Sequence, residues 1–290
     1  MTTNALVTQD NAPWGLGSIS SRTRGASSYI YDSTGGRDTF SYVVDTGIRI
    51  THQDFGGRAQ FGFNAVGGVD NVNQGHGTHV AGTVGGDTYG VAKQTTLIAV
   101  KVFEGNQGSA SAVIAGFDWA VNDIVSKGRQ DSAVINMSLG GPGSTVWDSA
   151  ITSAWNRGVL AVVASGNENQ LASNRSPARS PEVLCVGNVQ SNDARRSGST
   201  GSNFGSAVDI FAAGTSIVSA YFTSDTATAT LTGTSMASPH VAGLVSYLRG
   251  LEGMSSAAAI KARVLELATP NRVTDAQDSA NLLAYNGNGR

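Results

Sequence analysis

Leu97-Ile98-Ala99-Val100-Lys101-Val102 is a short β-branched run, and thirty residues later Ala133-Val134-Ile135-Asn136-Met137 is another. Between them Val113, Phe117, Ala120, Val121 and Ile124 recur with helical period, opened by Ser111 and closed by Gly128. Strands buried on both faces read as continuous apolar runs, so the segment is a strand, a crossover helix and a parallel strand. The same unit recurs on either side. Phe40-Ser41-Tyr42-Val43-Val44, Val159-Leu160-Ala161-Val162-Val163 and Val183-Leu184-Cys185-Val186 are further strands. A second helix places Trp147, Ala150, Ile151, Ala154 and Trp155 on one face, starts with a capping-box variant, Thr145-x-x-Asp148, and stops at Gly158. The alternation predicts an α/β fold of three layers, a mostly parallel central sheet with helices on both faces and right-handed crossovers, with ligands bound beyond the strand carboxyl ends.

Composition narrows the function. The chain has 290 residues, enough for one large domain, and neither a repeat nor a linker divides it; Gln190 to Ser206 is merely rich in Ser, Gly and Arg. One domain, 1–290, is expected. Lys+Arg 19 against Asp+Glu 21 gives a net charge of -2, and charged residues make up 14%. That balance leaves no electrostatic footprint for nucleic acid. Mean hydropathy is -0.08, and no apolar run approaches the ~18 residues a membrane span needs, so no membrane partner is expected. Met1-Thr2-Thr3-Asn4 lacks the basic and apolar regions of a signal peptide. Cys185 is the only cysteine, so no internal disulfide forms. The 37 glycines are about 13% of the chain against a usual ~7%, which suits backbone exposed at close range.

Three segments carry candidate chemistry. Val43-Val44-Asp45-Thr46-Gly47 is a strand ending in a carboxylate and a glycine turn; alone it reads as a turn or cap aspartate. Gly75-His76-Gly77-Thr78-His79 sets two histidines three apart, open to a metal pair or a packed helix start, without the Glu of an HExxH site. Gly233-Thr234-Ser235-Met236-Ala237-Ser238-Pro239-His240 feeds a helix through Val241, Leu244 and Leu248, and its serines and threonine would ordinarily be caps. Taken together, Asp45, His76 and Ser235 supply an orienting carboxylate, a base and a nucleophile, the parts acyl transfer requires. A serine at a helix start also presents its own N–H, at the positive end of the dipole, to a developing oxyanion.

These motifs, with Val80-Ala81-Gly82-Thr83 completing the second, resemble the subtilisin family of serine endopeptidases over nearly the whole chain, in the family's order Asp, His, Ser. Ala12-Pro13-Trp14-Gly15-Leu16 and Leu283-Ala284-Tyr285-Asn286-Gly287 are most similar to the secreted fungal, proteinase K-like alkaline proteases. The resemblance implies a secreted endopeptidase of broad specificity, with a preference for large apolar or aromatic residues before the scissile bond. It also implies synthesis with an inhibitory propeptide, protein and peptide substrates, action as a monomer outside the cell or in a vacuole, and no catalytic cofactor. Asn167, in Ala164-Ser165-Gly166-Asn167, matches the oxyanion-hole donor. Ser138-Leu139-Gly140 and Gly105-Asn106-Gln107-Gly108 would flank an extended peptide as added strands. Ala164, Ser165 and Gly166 would wall the pocket for the residue before the cut, with Glu168 at its mouth, where it could accept a basic residue. A structural calcium would rest on the Pro181 and Val183 carbonyls and Asp209.

Departures are local. Phe211-Ala212-Ala213-Gly214 lacks the usual proline, Ser197-Gly198-Ser199-Thr200-Gly201 lacks a usual Phe, and Val80 stands where relatives carry a cysteine. Asn174-Arg175-Ser176 is a glycosylation sequon in a polar loop; Asn136-Met137-Ser138 is another, in a strand expected to be buried. A catalytically silent peptide-binding protein on the same fold is the alternative, and an α/β-hydrolase esterase would need a Gly-x-Ser-x-Gly elbow that Ser235 lacks.

Overall fold

Strand β3 (Phe40–Asp45) lies inside a nine-stranded sheet, and the alternation of its side chains shows how both faces came to be covered. The computed structural model describes residues 6–70 and 72–289; the N-terminal Met1 to Asn4 reading lies outside them. Val43 packs into one core with Leu97, Val134, Leu160 and Val162, while Tyr42 and Val44 enter the other with Ile98, Ile135, Ala161 and Val163. Each strand therefore serves two cores by its period of two.

A ribbon of β1 (Leu6–Gln9) and β2 (Tyr29–Asp32), with α1 (Trp14–Ile19) between them, precedes this sheet. After β3 come β4 (Ala59–Asn64), α2 (His76–Gly85), β5 (Thr96–Lys101), α3 (Ala110–Ser126) and β6 (Ala133–Met137). The short β7 (Gly141–Pro142), α4 (Thr145–Asn156), β8 (Leu160–Ala164), β9 (Arg175–Ser176), β10 (Leu184–Val189) and β11 (Ile210–Ala213) follow. The chain ends with the hairpin β12 (Ile217–Ala220) and β13 (Thr228–Leu231), α5 (Thr234–Glu252), α6 (Ala257–Leu267), β14 (Thr269–Pro270) and β15 (Leu282–Leu283). The large sheet runs β14-β15-β11-β10-β8-β6-β3-β5-β4, parallel throughout except for β14 against β15. Residues of α1, α2, α5 and α6 join the core on one face, and those of α3 and α4 join the other. The expected three-layer α/β architecture is the observed one.

The chain passes from β5 through α3 to β6 on the opposite side of β3, and this reversal opens a crevice at the carboxyl ends of the central strands. Helix starts differ from the sequence reading by one or two residues. Ser109, not Ser111, caps α3 by accepting from the Ala112 N–H at 3.1 Å, and Ser144, not Thr145, caps α4. Asp148 is not a capping-box partner: its carboxylate takes the Ser176 hydroxyl at 2.8 Å and the Arg179 guanidinium at 2.5 and 2.8 Å. A pair of charge-assisted bonds outweighs one cap on an exposed first turn.

Candidate active site

Asp45 ends β3, His76 begins α2 and Ser235 is the second residue of α5. Each stands where a strand or helix stops or starts, so backbone geometry fixes it. Asp45 is buried, and both of its carboxylate oxygens lie on His76 Nδ1, Oδ1 at 2.8 Å and Oδ2 at 2.9 Å. The Thr46 N–H donates to Asp45 Oδ1 at 2.7 Å, and the Thr46 hydroxyl accepts from the Gly77 N–H at 2.9 Å, which locks the β3 exit to the α2 start. Gly77 cannot carry a side chain here: a Cβ would lie 2.3 Å from the Gly47 carbonyl. The contact holds the proton on Nδ1 and leaves Nε2 as the basic nitrogen. Burial alone would lower the His76 pKa, but the charge and hydrogen bond of Asp45 prevail and raise it above the ordinary 6.5.

His79 is not a second metal ligand beside it. Its Nε2 meets the Ile217 carbonyl at 2.9 Å and the Ala229 carbonyl at 3.2 Å, and burial lowers its pKa to about 4. It is a neutral core residue that ties α2 to the β12–β13 hairpin.

The nucleophile is braced by a detail absent from the motif reading. Pro239 lies inside α5 and has no N–H, so the Ser235 carbonyl four residues before it lacks a helical partner. The Ser138 hydroxyl fills that gap at 2.7 Å, and accepts in turn from Asn136 Nδ2 at 3.0 Å. Asn136 Oδ1 takes the Ser238 hydroxyl at 2.7 Å. Asn136 is fully buried, so the sequon there serves packing, whereas Asn174 is exposed. The Ser235 hydroxyl donates to the Ser138 carbonyl at 3.1 Å, a bond it must give up to pass its proton to His76.

Asn167 follows β8. Its Oδ1 accepts from the Thr234 N–H at 2.8 Å and the Thr234 hydroxyl at 3.1 Å, which leaves Nδ2 as the remaining donor of the side chain, and Asn167 lines the cavity at the α5 start. Asn203, fully buried, holds the same loop: Nδ2 donates to the Ser165 carbonyl at 2.9 Å and Glu168 Oε2 at 2.7 Å, while Oδ1 accepts from the Glu168 and Gln170 N–H groups. Gly166 has φ 103°, and a Cβ there would meet Asn203 Nδ2 at 2.3 Å.

The expected binding segments converge in part. Ala164, Ser165, Gly166, Leu139, Gly140, Asn167 and Ser235 line one cavity, and Gly105, Asn106, Ser138 and Leu139 line the adjoining cleft with Asp45 and His76. Gln107 is turned to another task, since its N–H and C=O both pair with Glu104, and Gly108 packs on Phe103. Glu168 faces Arg175 at 3.1 Å on the wall of the first cavity, so it is not an unpaired acceptor. Thr46, Asn136, Asn203, Arg175 and Thr234 escaped the sequence reading in these roles; of them Thr46 and Thr234 sat inside catalytic motifs that could have flagged them. Pro181, Val183 and Asp209 do come together, around the ammonium of Lys261. Among the described residues no group of three or more His, Cys, Asp or Glu side chains gathers to hold a metal.

A hydrogen-bonded Asp–His pair, a serine at a helix start and a fixed amide donor, at the carboxyl ends of a parallel sheet, define a serine hydrolase. The chain belongs to the subtilase family, whose sequence profile matches residues 36–289. It is 55% identical to Alkaline protease 1 of Aspergillus clavatus over 284 residues, 98% of this chain and 70% of that protein. It is likewise 55% identical to the alkaline proteinase of Hapsidospora chrysogena over 288 residues, 99% of this chain and 70% of that one. A cold adapted subtilisin-like serine proteinase of known structure superposes with a TM-score of 0.88 at 38% identity, covering 96% of this chain and 99% of its own. This protein is a subtilisin-like serine protease.

Proposed function

We propose that the protein is a secreted endopeptidase that cleaves polypeptides through an acyl-enzyme. Ser235 attacks the scissile carbonyl while His76 takes its proton and later returns it to the leaving amine. Asp45 orients the imidazole and stabilises its charged form. The oxyanion forms between Asn167 Nδ2 and the Ser235 N–H, where donors already aimed cost no reorganisation as charge develops. The single observation that carries this reading is His76 Nδ1 held on both oxygens of a buried Asp45.

The substrate lies extended between Gly105-Asn106 and Ser138-Leu139-Gly140, and the residue before the cut enters the cavity walled by Ala164, Ser165 and Gly166. Small walls and a neutralised Glu168 favour apolar and aromatic residues over cationic ones. The family resemblance supports secretion, a monomer, and an inhibitory propeptide laid across the same cleft; no helix among the described residues is long and apolar enough to cross a membrane. A sulfonyl fluoride that reacts with serine hydrolases should modify Ser235 in the folded protein and abolish cleavage of casein. Folded protein that resists the reagent yet binds peptide would replace this reading with that of a silent binder.

A further inference from the structure

Pro181 and Val183 lead into β10, and Asp209 leads into β11, so all three lie at the amino-terminal rim of the sheet, opposite the cleft. Lys261, in the middle of α6, reaches into this corner. Its Nζ donates to the Pro181 carbonyl at 2.7 Å and to the Val183 carbonyl at 2.5 Å, and lies 3.8 Å from Asp209 Oδ1. The other Asp209 oxygen accepts from the Cys185 N–H at 2.9 Å. Only 15% of the Lys261 side chain and 27% of that of Asp209 remain exposed.

Two carbonyls and a carboxylate form a hard oxygen set of the kind calcium takes. In this chain the set is already engaged. An ammonium has three donors and one positive charge; two donors meet the carbonyls, and the charge balances Asp209. A divalent ion at the same point would face a like charge at contact distance and would have to expel Nζ, so the residues as they stand do not fit calcium. Lysine also links α6 to two strand entries, which a free ion cannot do.

We propose that the Lys261 ammonium is the resident cation of the Pro181, Val183 and Asp209 site, and that removing it turns this corner into a calcium-binding site. Loss of the ammonium leaves a part-buried carboxylate and two carbonyls converging on one vacated point. The proposal does not depend on the catalytic reading.

The test uses the full chain carrying Ser235→Ala, so that self-digestion does not enter, and reads thermal unfolding in EGTA and in millimolar calcium. Any calcium effect arising elsewhere is common to all variants and is subtracted as the parent's own increment. Lys261→Ala should unfold earlier than the parent in EGTA. Calcium should then raise its Tm by about 3 °C or more beyond the parent's increment. Adding Asp209→Asn should cancel that gain. Lys261→Gln, which keeps the stem without the charge, serves as a second variant, and calorimetric titration should show one calcium site more than in the parent. A variant that folds only with calcium supports the proposal equally. It is overturned if both variants show the parent's calcium increment, or if Asp209→Asn alone removes a calcium increment from the parent.

Discussion

Arg175→Ala tests how the cavity beside Ser235 chooses its substrate. Arg175 and Glu168 face each other at 3.1 Å on its wall, with 21% and 41% of their side chains exposed. At an effective dielectric of about 20, unit charges that close attract by roughly 5 kcal/mol, before desolvation and side-chain entropy are subtracted. Solvent at this exposure reduces the net value toward the ~0–1 kcal/mol of surface pairs. Removing Arg175 leaves Glu168 in place, because Asn203 Nδ2 still holds Oε2 at 2.7 Å and Asn203 Oδ1 still holds its N–H. A lysine before the scissile bond then becomes the partner of Glu168, in a cavity that the bound peptide has dried. An expected gain of about 1–2 kcal/mol in transition-state binding corresponds to roughly 5- to 30-fold in kcat/KM. The assay compares two p-nitroanilide peptides differing only in Lys or Phe at that position, and the quantity read is their kcat/KM ratio. Arg175→Ala should raise the Lys/Phe ratio by that factor, and adding Glu168→Gln should remove the gain. An unchanged ratio, or a gain that survives Glu168→Gln, refutes the electrostatic argument.

Other outcomes follow from the same geometry. Asp45 is what holds the His76 pKa above 6.5, and the neutral imidazole is the active base, so the acid limb of kcat/KM should lie above pH 6.5 in the wild type. In Asp45→Asn it should move to lower pH while the rate falls by about 10⁴; an acid limb that stays put would show that the carboxylate does not set it. His79 and His240 are buried and neutral, both lowered to about 4 by burial, so the unfolded chain binds more protons between pH 6.5 and 4. Their contribution is complete above pH 6.5 and should shrink by about 3 kcal/mol per histidine by pH 4, read by urea unfolding of the Ser235→Ala protein across that range. Ser138→Ala should cost about 1–3 kcal/mol by stranding the Ser235 carbonyl, and little in a Pro239→Ala background, where a restored helical N–H takes over; additive costs would rule out that linkage. Ser235→Ala should reduce kcat by about 10⁶, the scale known for subtilisin itself, measured by active-site-titrated turnover.

The strands and helices were legible because their signal is repetition along the chain. Five apolar runs correspond to β3, β5, β6, β8 and β10; Asp45 ends the first of them, while His76 and Ser235 stand at the starts of α2 and α5. β4 was not legible: Ala59-Gln60-Phe61-Gly62-Phe63-Asn64 is an edge strand, half-exposed and interrupted by a glycine and a register shift. The β12–β13 hairpin escaped for a related reason, since Thr228 to Leu231 is short, with Thr228 and Thr230 exposed and Ala229 and Leu231 only half-buried. In the site, residues whose roles arise from distant partners left no local trace. Asn203 reaches back 38 positions to the Ser165 carbonyl, and Ser138 matters because of a proline 101 positions later. Gln107 pairs its N–H and C=O with Glu104, a closure that a glycine-flanked polar run does not announce.

The separation of the two rims of the sheet bears on how the enzyme can be tethered. Of the four lysines, Lys93 and Lys101 are buried and Lys261 is spent in its corner, whereas Lys127, at the end of α3, keeps 49% of its side chain exposed. The carboxyl end of a crossover helix lies at the amino-terminal rim of the sheet, across the molecule from Ser235. Coupling through lysine would therefore grip the described chain by its back, leaving the mouth of the groove turned toward the bulk.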